Sequence, residues 1–332
     1  MHQQIPEISV TPIVPSNIQP AFPVDVSDGD VRSQMIELLG LVGIPVEVAF
    51  EESASTDSDD FSFTDLSYVN SLDERVSSIL IEPIGYTQPL PGVVCVSGTS
   101  GSAERVMDPD YRLSDPGPLI GWGRELARRG FVTLAISAKG TEGRRKSPET
   151  WALEQKHLSP YGRTQMGVLV EETLLAARIL ASREAVAEER IGLTGMSLGG
   201  NATWYAMACA PWIAAGVAVC GGVGSLASLI HEGDPERHSA YYYIPGMLRY
   251  FDHARVVGTC MPPRPFLMVL PTKDEDMPKK GVDSLIPVVN EAYAQSGHPE
   301  CFEVYQPGGN HRFLPKYFER MVDWFDRHLA AS

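Results

Sequence analysis

Through the middle of the chain, short unbroken apolar runs alternate with longer segments whose apolar residues recur every three or four positions. The runs at 92–96, 131–136, 191–193, 214–219 and 265–270 carry almost no polar alternation. This pattern marks strands buried on both faces. The segments at 118–129, 164–185 and 282–296 have the spacing of helices, and a strand at 301–305 precedes a last helix at 314–329. Two connections have neither period: a long loop at 139–161 and an irregular excursion at 221–250. The N-terminal part reads differently. Segments 65–72 and 75–82 predict an antiparallel hairpin, with Val76, Ile79 and Ile81 β-branched. Before it come a helix at 28–39, stopped by Gly40, a strand at 45–50 and an acidic, Ser-rich solvated loop at 51–60. Residues 1–26 hold Pro6, Pro12, Pro15, Pro20 and Pro23 with no periodicity, as in an extended arm.

Strands alternating with helices predict an α/β fold: a mostly parallel, doubly wound sheet with helices on both faces. The hairpin adds an antiparallel N-terminal edge, and the excursion is a small insertion after the sixth strand. No repeat and no second core are visible, so residues 27–332 read as one domain.

The chemistry gathers around Gly195-Met196-Ser197-Leu198-Gly199, which joins an apolar strand to a segment of helical character. Strand, tight turn and helix in that order make a Gly-x-Ser-x-Gly string a nucleophile elbow. The glycines allow a sharp turn and close packing, which leaves Ser197 exposed at the tip. In a doubly wound sheet, active sites form at the carboxyl ends of the strands. The run ending at Leu270 is followed by Lys273-Asp274-Glu275-Asp276, and the strand ending at Tyr305 by Gly308-Gly309-Asn310-His311. The order is therefore Ser197, an acid, then His311. Asp274 comes first after its strand; Asp276 is the alternative. A serine is a weak nucleophile at neutral pH and needs a base, which a histidine supplies, oriented by a carboxylate. Leu198 and the Ser97–Gly101 loop, through Thr99, are placed to donate N–H groups to an oxyanion. The excursion offers Tyr242, Tyr243 and His231 as walls of a substrate pocket.

Composition narrows the setting. The formal charge of −15 argues against nucleic acid or an anionic membrane as partner. No apolar run is long enough to cross a bilayer, and Met1 to Pro6 has no signal-peptide pattern. Five scattered cysteines, with no Cys-x-x-Cys, read as reduced structural thiols in a cytoplasmic protein. Phosphate-loop, zinc-helix and dinucleotide motifs are absent from the sequence, so neither a metal nor another cofactor is implied.

Several segments resemble one family. Glu188 to Gly200, Tyr243 to Asp252, Pro262 to Pro265 and Lys273 to Pro278 are similar to the dienelactone hydrolase and acetyl xylan esterase-like branch of the α/β-hydrolase superfamily. The likeness runs from about Val76 to the C-terminus. It implies an α/β-hydrolase fold and a serine hydrolase of carboxylesterase type, and it supports Asp274 as the acid. The oxyanion loop departs from that group's pattern: it begins Ser97-Gly98 where His-Gly is usual. The expected substrate is a small or medium organic ester, and a homo-oligomer is compatible with the sequence. The alternatives are acyl transfer, lactone or peptide cleavage by the same triad, or a non-catalytic ligand-binding protein on this scaffold.

Overall fold

The structure is a computed structural model and describes residues 18–57, 60–109, 119–142, 144–145, 147–233 and 237–330. Residues 1–17 of the expected arm, 58–59 of the expected loop and Pro118 at the expected helix start lie outside the described residues. So do 143, 146 and 234–236 in the two long connections.

Among the described residues, one sheet holds nine strands: β1 (Phe50–Asp57), β2 (Phe61–Val69), β3 (Arg75–Pro83), β4 (Leu90–Val96), β5 (Val132–Ile136), β6 (Val186–Met196), β7 (Ala215–Val219), β8 (Phe266–Val269) and β9 (Phe302–Tyr305). Their order is β1-β2-β3-β5-β4-β6-β7-β8-β9. β1, β2, β3 and β5 pair antiparallel in sequence, and every pair from β5 to β9 is parallel. The helices are α1 (Val31–Leu39), α2 (Ala103–Val106), α3 (Trp122–Arg128), α4 (Pro148–Leu158), α5 (Gln165–Ala181), α6 (Leu198–Cys209), α7 (Leu226–Glu232), α8 (His253–Cys260), α9 (Lys279–Gln295) and α10 (Pro315–Leu329).

The sheet separates two apolar layers. Val94 and Val96 of β4 belong to the layer that also holds α1, α5, α6, α8 and α9, while Val93 and Cys95 belong to the layer that holds α3 and α10. Period-two geometry sends alternate side chains to opposite faces, so a strand buried on both reads as an unbroken apolar run. The α10 stripe Tyr317, Phe318, Met321, Val322, Phe325 and Leu329 closes the second layer. Each large side chain buried this way contributes on the order of 2 kcal/mol.

Several segments differ from the expectation. The strand expected at 45–50 is irregular backbone up to the start of β1 at Phe50, because 45–49 have no strand partner. Residues 51–57, expected as loop, belong to β1, which pairs with β2 from Phe50↔Tyr68 to Asp57↔Ser62. A solvent-facing edge strand tolerates polar side chains, and the register shift between Glu52 and Ala54 breaks the alternation that would have shown it. The expected loop at 139–161 contains α4, capped where Ser147 Oγ accepts the Thr150 N–H at 3.1 Å and Pro148 opens the helix. The excursion, which follows β7, contains α7. It is followed by the unexpected α8, and Asp252 joins the two, accepting the N–H groups of His253 at 2.6 Å and Leu226 at 2.7 Å.

A buried ionic network fixes the connection after β5. Glu172 of α5 is fully buried and accepts Arg144 Nη2 at 2.9 Å, Asn70 Nδ2 at 2.7 Å and the Lys139 N–H at 2.7 Å. Gly140, one residue on, lies so close to Leu198 that a Cβ there would stand 2.9 Å from the leucine side chain. The connection that carries the network thus packs against the start of α6. No helix among the described residues is long and apolar enough to cross a membrane.

Candidate active site

β6 ends at Met196, and the chain reverses through Ser197 into α6. Ser197 has φ 57° and ψ −117°, a region that disfavours any residue with a Cβ. The surroundings hold it there. Its N–H donates to Val219 O and its carbonyl accepts the Asn201 N–H, both at 2.9 Å. Gly199 makes the turn sterically feasible, because its Cα faces the Val96 backbone with no room for a Cβ.

The carboxyl ends of β8 and β9 deliver the partners. His311 Nε2 lies 2.9 Å from Ser197 Oγ. On the far side of the ring, Nδ1 lies 3.0 Å from Asp274 Oδ1 and 3.2 Å from Asp276 Oδ2. The sequence left Asp274 and Asp276 as alternatives; the fold places both carboxylates at one nitrogen. Burial favours neutral His311, yet the hydrogen bond to Asp274 and the charges of Asp276 and Asp274 outweigh it, raising the imidazole above its ordinary value. Burial likewise works to raise the Asp274 carboxyl, but His311, joined by hydrogen bonds from the Asp276 N–H and Cys220, more than compensates and holds it below the usual carboxylate value.

Cys220, the residue after β7, was not singled out by its sequence context. It has φ 50°, and its sulfur, an Asp274 oxygen and a His311 nitrogen all lie within 4.8 Å of one another. Burial pushes its thiol well above the ordinary value, so it stays protonated at neutral pH. An apolar strand end with no charged neighbour gave no signal for it.

A cavity of about 320 Å³ opens beside Ser197 and His311. Thr99, Leu119, Trp122 and Phe313 line it, with Trp122 and Phe313 meeting edge to face at 5.1 Å between ring centroids. The Ser97–Gly101 loop runs along its rim, where a Cβ on Gly98 would stand 3.4 Å from Ser197 Cβ. Leu198 is the first residue of α6, so its N–H has no acceptor one turn back within the helix.

The expected walls lie elsewhere. Tyr242 is fully buried, its hydroxyl donating to Gly222 O and its ring stacked on His238. Tyr243 is half-buried against the core formed with α5, α6 and α8, and its ring meets Tyr242 edge-on. His231 is exposed in the last turn of α7. None of the three lines the cavity that holds Ser197. The aromatic residues of the excursion satisfy the core, and the cavity takes its wall from the start of α3 and the loop after His311. An aromatic directly after a turn glycine, as in Gly121-Trp122, and one two residues after the histidine, Phe313, were the available signals.

No family model matches the chain. It is 27% identical over 238 residues to the protein named "Putative hydrolase YtaP" of Bacillus subtilis (strain 168), a match covering 72% of this chain and 78% of the relative. Among solved structures, it superposes on "a putative acetyl xylan esterase" from Bacteroides fragilis NCTC 9343 with a TM-score of 0.68 and 16% identity, over 87% of this chain and 79% of that one. A glucuronoyl esterase from Solibacter usitatus gives a TM-score of 0.67 and 12% identity, over 91% and 92% of the two chains. The fold is that of the α/β-hydrolases.

Proposed function

We propose that the protein is a serine hydrolase that cleaves a carboxylic ester of a small or medium organic molecule through an acyl-enzyme. The observation that carries this reading is the unbroken chain of contacts from Ser197 Oγ through the His311 ring to Asp274, at 2.9 and 3.0 Å. Such a relay has a use only where a hydroxyl must lose its proton.

In this reading Ser197 Oγ attacks the ester carbonyl while its proton passes to His311 Nε2. The negative charge moves onto the carbonyl oxygen, where the N–H groups of Leu198 and Thr99 stabilise it. The tetrahedral centre collapses, His311 returns the proton to the departing alkoxide, and the alcohol leaves. Water then attacks the acyl-serine, again losing its proton to His311, and the acid is released as Ser197 recovers its hydrogen. Asp274 fixes the tautomer in which Nδ1 carries the hydrogen and Nε2 is free to accept, and it stabilises the imidazolium.

The cavity of about 320 Å³ lies at the lower end of ordinary ligand sites, which favours a short acyl group or a compact alcohol. The esterase names of the structural neighbours point to the same bond type. The test is hydrolysis of p-nitrophenyl acetate by wild type, Ser197→Ala and His311→Ala. A loss of about 10³-fold or more in kcat for both variants is expected. Equal turnover by wild type and Ser197→Ala would remove the serine from the mechanism.

A further inference from the structure

The two acids at His311 differ in what stands behind each. Asp274 Oδ1 meets Nδ1 and also accepts the Asp276 backbone N–H at 3.0 Å. Asp276 turns Oδ2 to the same ring nitrogen and gives Oδ1 to Arg237 Nε at 2.5 Å. The Asp276 side chain is only 7% exposed while Arg237 is 31% exposed, so the carboxylate is shielded from water and the guanidinium reaches the surface. The Asp276 carbonyl oxygen lies 2.7 Å from His238 Nε2. His238 in turn stacks on Tyr242, with ring centroids 4.3 Å apart and planes at 15°. The excursion is thus built into the back of the acid loop through Arg237, His238 and Tyr242.

Two carboxylates sharing one site normally repel until one takes up a proton. Here a guanidinium, a group that does not lose its charge in proteins, is bonded to the second of them. We propose that Asp276 acts as a second positioning carboxylate on the His311 imidazole, held in place by Arg237, so that the excursion serves the proton relay rather than the substrate wall. This inference rests on the reading of His311 as the general base.

The other groups around His311 leave this pair as the distinguishing feature. Lys273, Glu275 and Arg312 border the same recess as His311 and Arg237. The Cys220 thiol and the Tyr317 hydroxyl on α10 are held protonated by burial, Tyr317 being pushed up to about 12. Burial holds His238 below its ordinary value, so it is neutral where His311 titrates.

The test follows the ring nitrogens of His311 by ¹⁵N-resolved NMR across pH, with the signal assigned by its loss in His311→Gln. Wild type, Asp276→Asn and Arg237→Gln are compared, and circular dichroism confirms the fold of each. Removing the Asp276 charge should lower the His311 midpoint by about one pH unit. Removing Arg237 should raise it, because that cation disfavours the imidazolium. The acid limb of kcat/KM for p-nitrophenyl acetate should move in the same two directions. A purely structural role for Asp276 would change melting temperature and leave the midpoint in place; a folded Asp276→Asn with an unmoved midpoint overturns the proposal. If Asp276→Asn does not fold, Asp276→Ser is read in its place: a lowered midpoint supports the proposal, and an unmoved one overturns it. Shifts as expected in a protein that cleaves no ester would sink the hydrolase reading and leave the acid pair standing. Ester cleavage with unmoved midpoints would do the reverse.

Discussion

Gly199→Ala probes the contact on which the nucleophile turn depends. A Cβ at this position would stand 2.6 Å from the carbonyl carbon of Val96 and 2.9 Å from Ser97 O, and nearer still to Val96 O. All three atoms are main chain, in β4 and in the loop that carries Thr99, so no side chain can swing aside. Relief requires α6 and β4 to part by more than about 1 Å, since the shortest of these separations falls furthest below an ordinary contact of about 3.5–4 Å. Overpacking typically costs 1–3 kcal/mol, and a clash with two segments of backbone belongs at the top of that range, at about 3 kcal/mol. The same displacement separates the Leu198 and Thr99 N–H groups, and a shift of about 1 Å at a reacting centre costs on the order of 10²-fold in rate. Urea unfolding and kcat/KM on p-nitrophenyl acetate measure the two effects. Gly43→Ala is the control: a Cβ there meets nothing within 4 Å, and its stability should stay within about 0.5 kcal/mol of wild type. The reasoning fails if Gly199→Ala matches the control in both stability and rate.

Other consequences can be checked the same way. The positive φ of Ser197 strains any residue with a Cβ, so Ser197→Gly should unfold at higher urea than Ser197→Ala, by about 1 kcal/mol after allowing for the greater freedom of unfolded glycine; equal stabilities would remove the strain. Because the His311 value is raised above 6.5, kcat/KM should reach half its plateau above that pH. The linked stability has a definite sign: the advantage of wild type over His311→Gln should be full below pH 6.5 and shrink as pH rises through the folded midpoint. A gap that grows with pH would contradict this assignment. Arg144→Met strands the buried Glu172 carboxylate and should cost about 3 kcal/mol by urea unfolding; a loss below about 1 kcal/mol would show that Asn70 and the Lys139 N–H suffice.

The parts that could be read from the sequence were those where burial and backbone demand leave little choice. The central strands have apolar side chains on both faces, so their runs stand out from any amphipathic helix. Ser197 stands out through the Gly-x-Ser-x-Gly string between strand and helix, and His311 through its place after the last strand. What stayed hidden depended on partners distant in sequence. The edge strand β1 needs only β2 to pair with, so its polar residues looked like a loop. The excursion carries three successive tyrosines that suit a ligand wall equally well, and only the fold directs Tyr242 inward to Gly222 O. Asp276 could not be separated from Asp274 because Arg237, thirty-nine positions away, holds it against His311.

The most direct measurement of the central claim is labelling with a fluorophosphonate probe, followed by mass spectrometry of the modified peptide. Wild type should be labelled on Ser197, with labelling lost in Ser197→Ala and reduced by about 10³-fold or more in His311→Ala, since only a hydroxyl deprotonated by the imidazole attacks phosphorus at a useful rate. Labelling on another residue, or undiminished labelling in His311→Ala, would contradict the assignment of Ser197 and His311 as nucleophile and base.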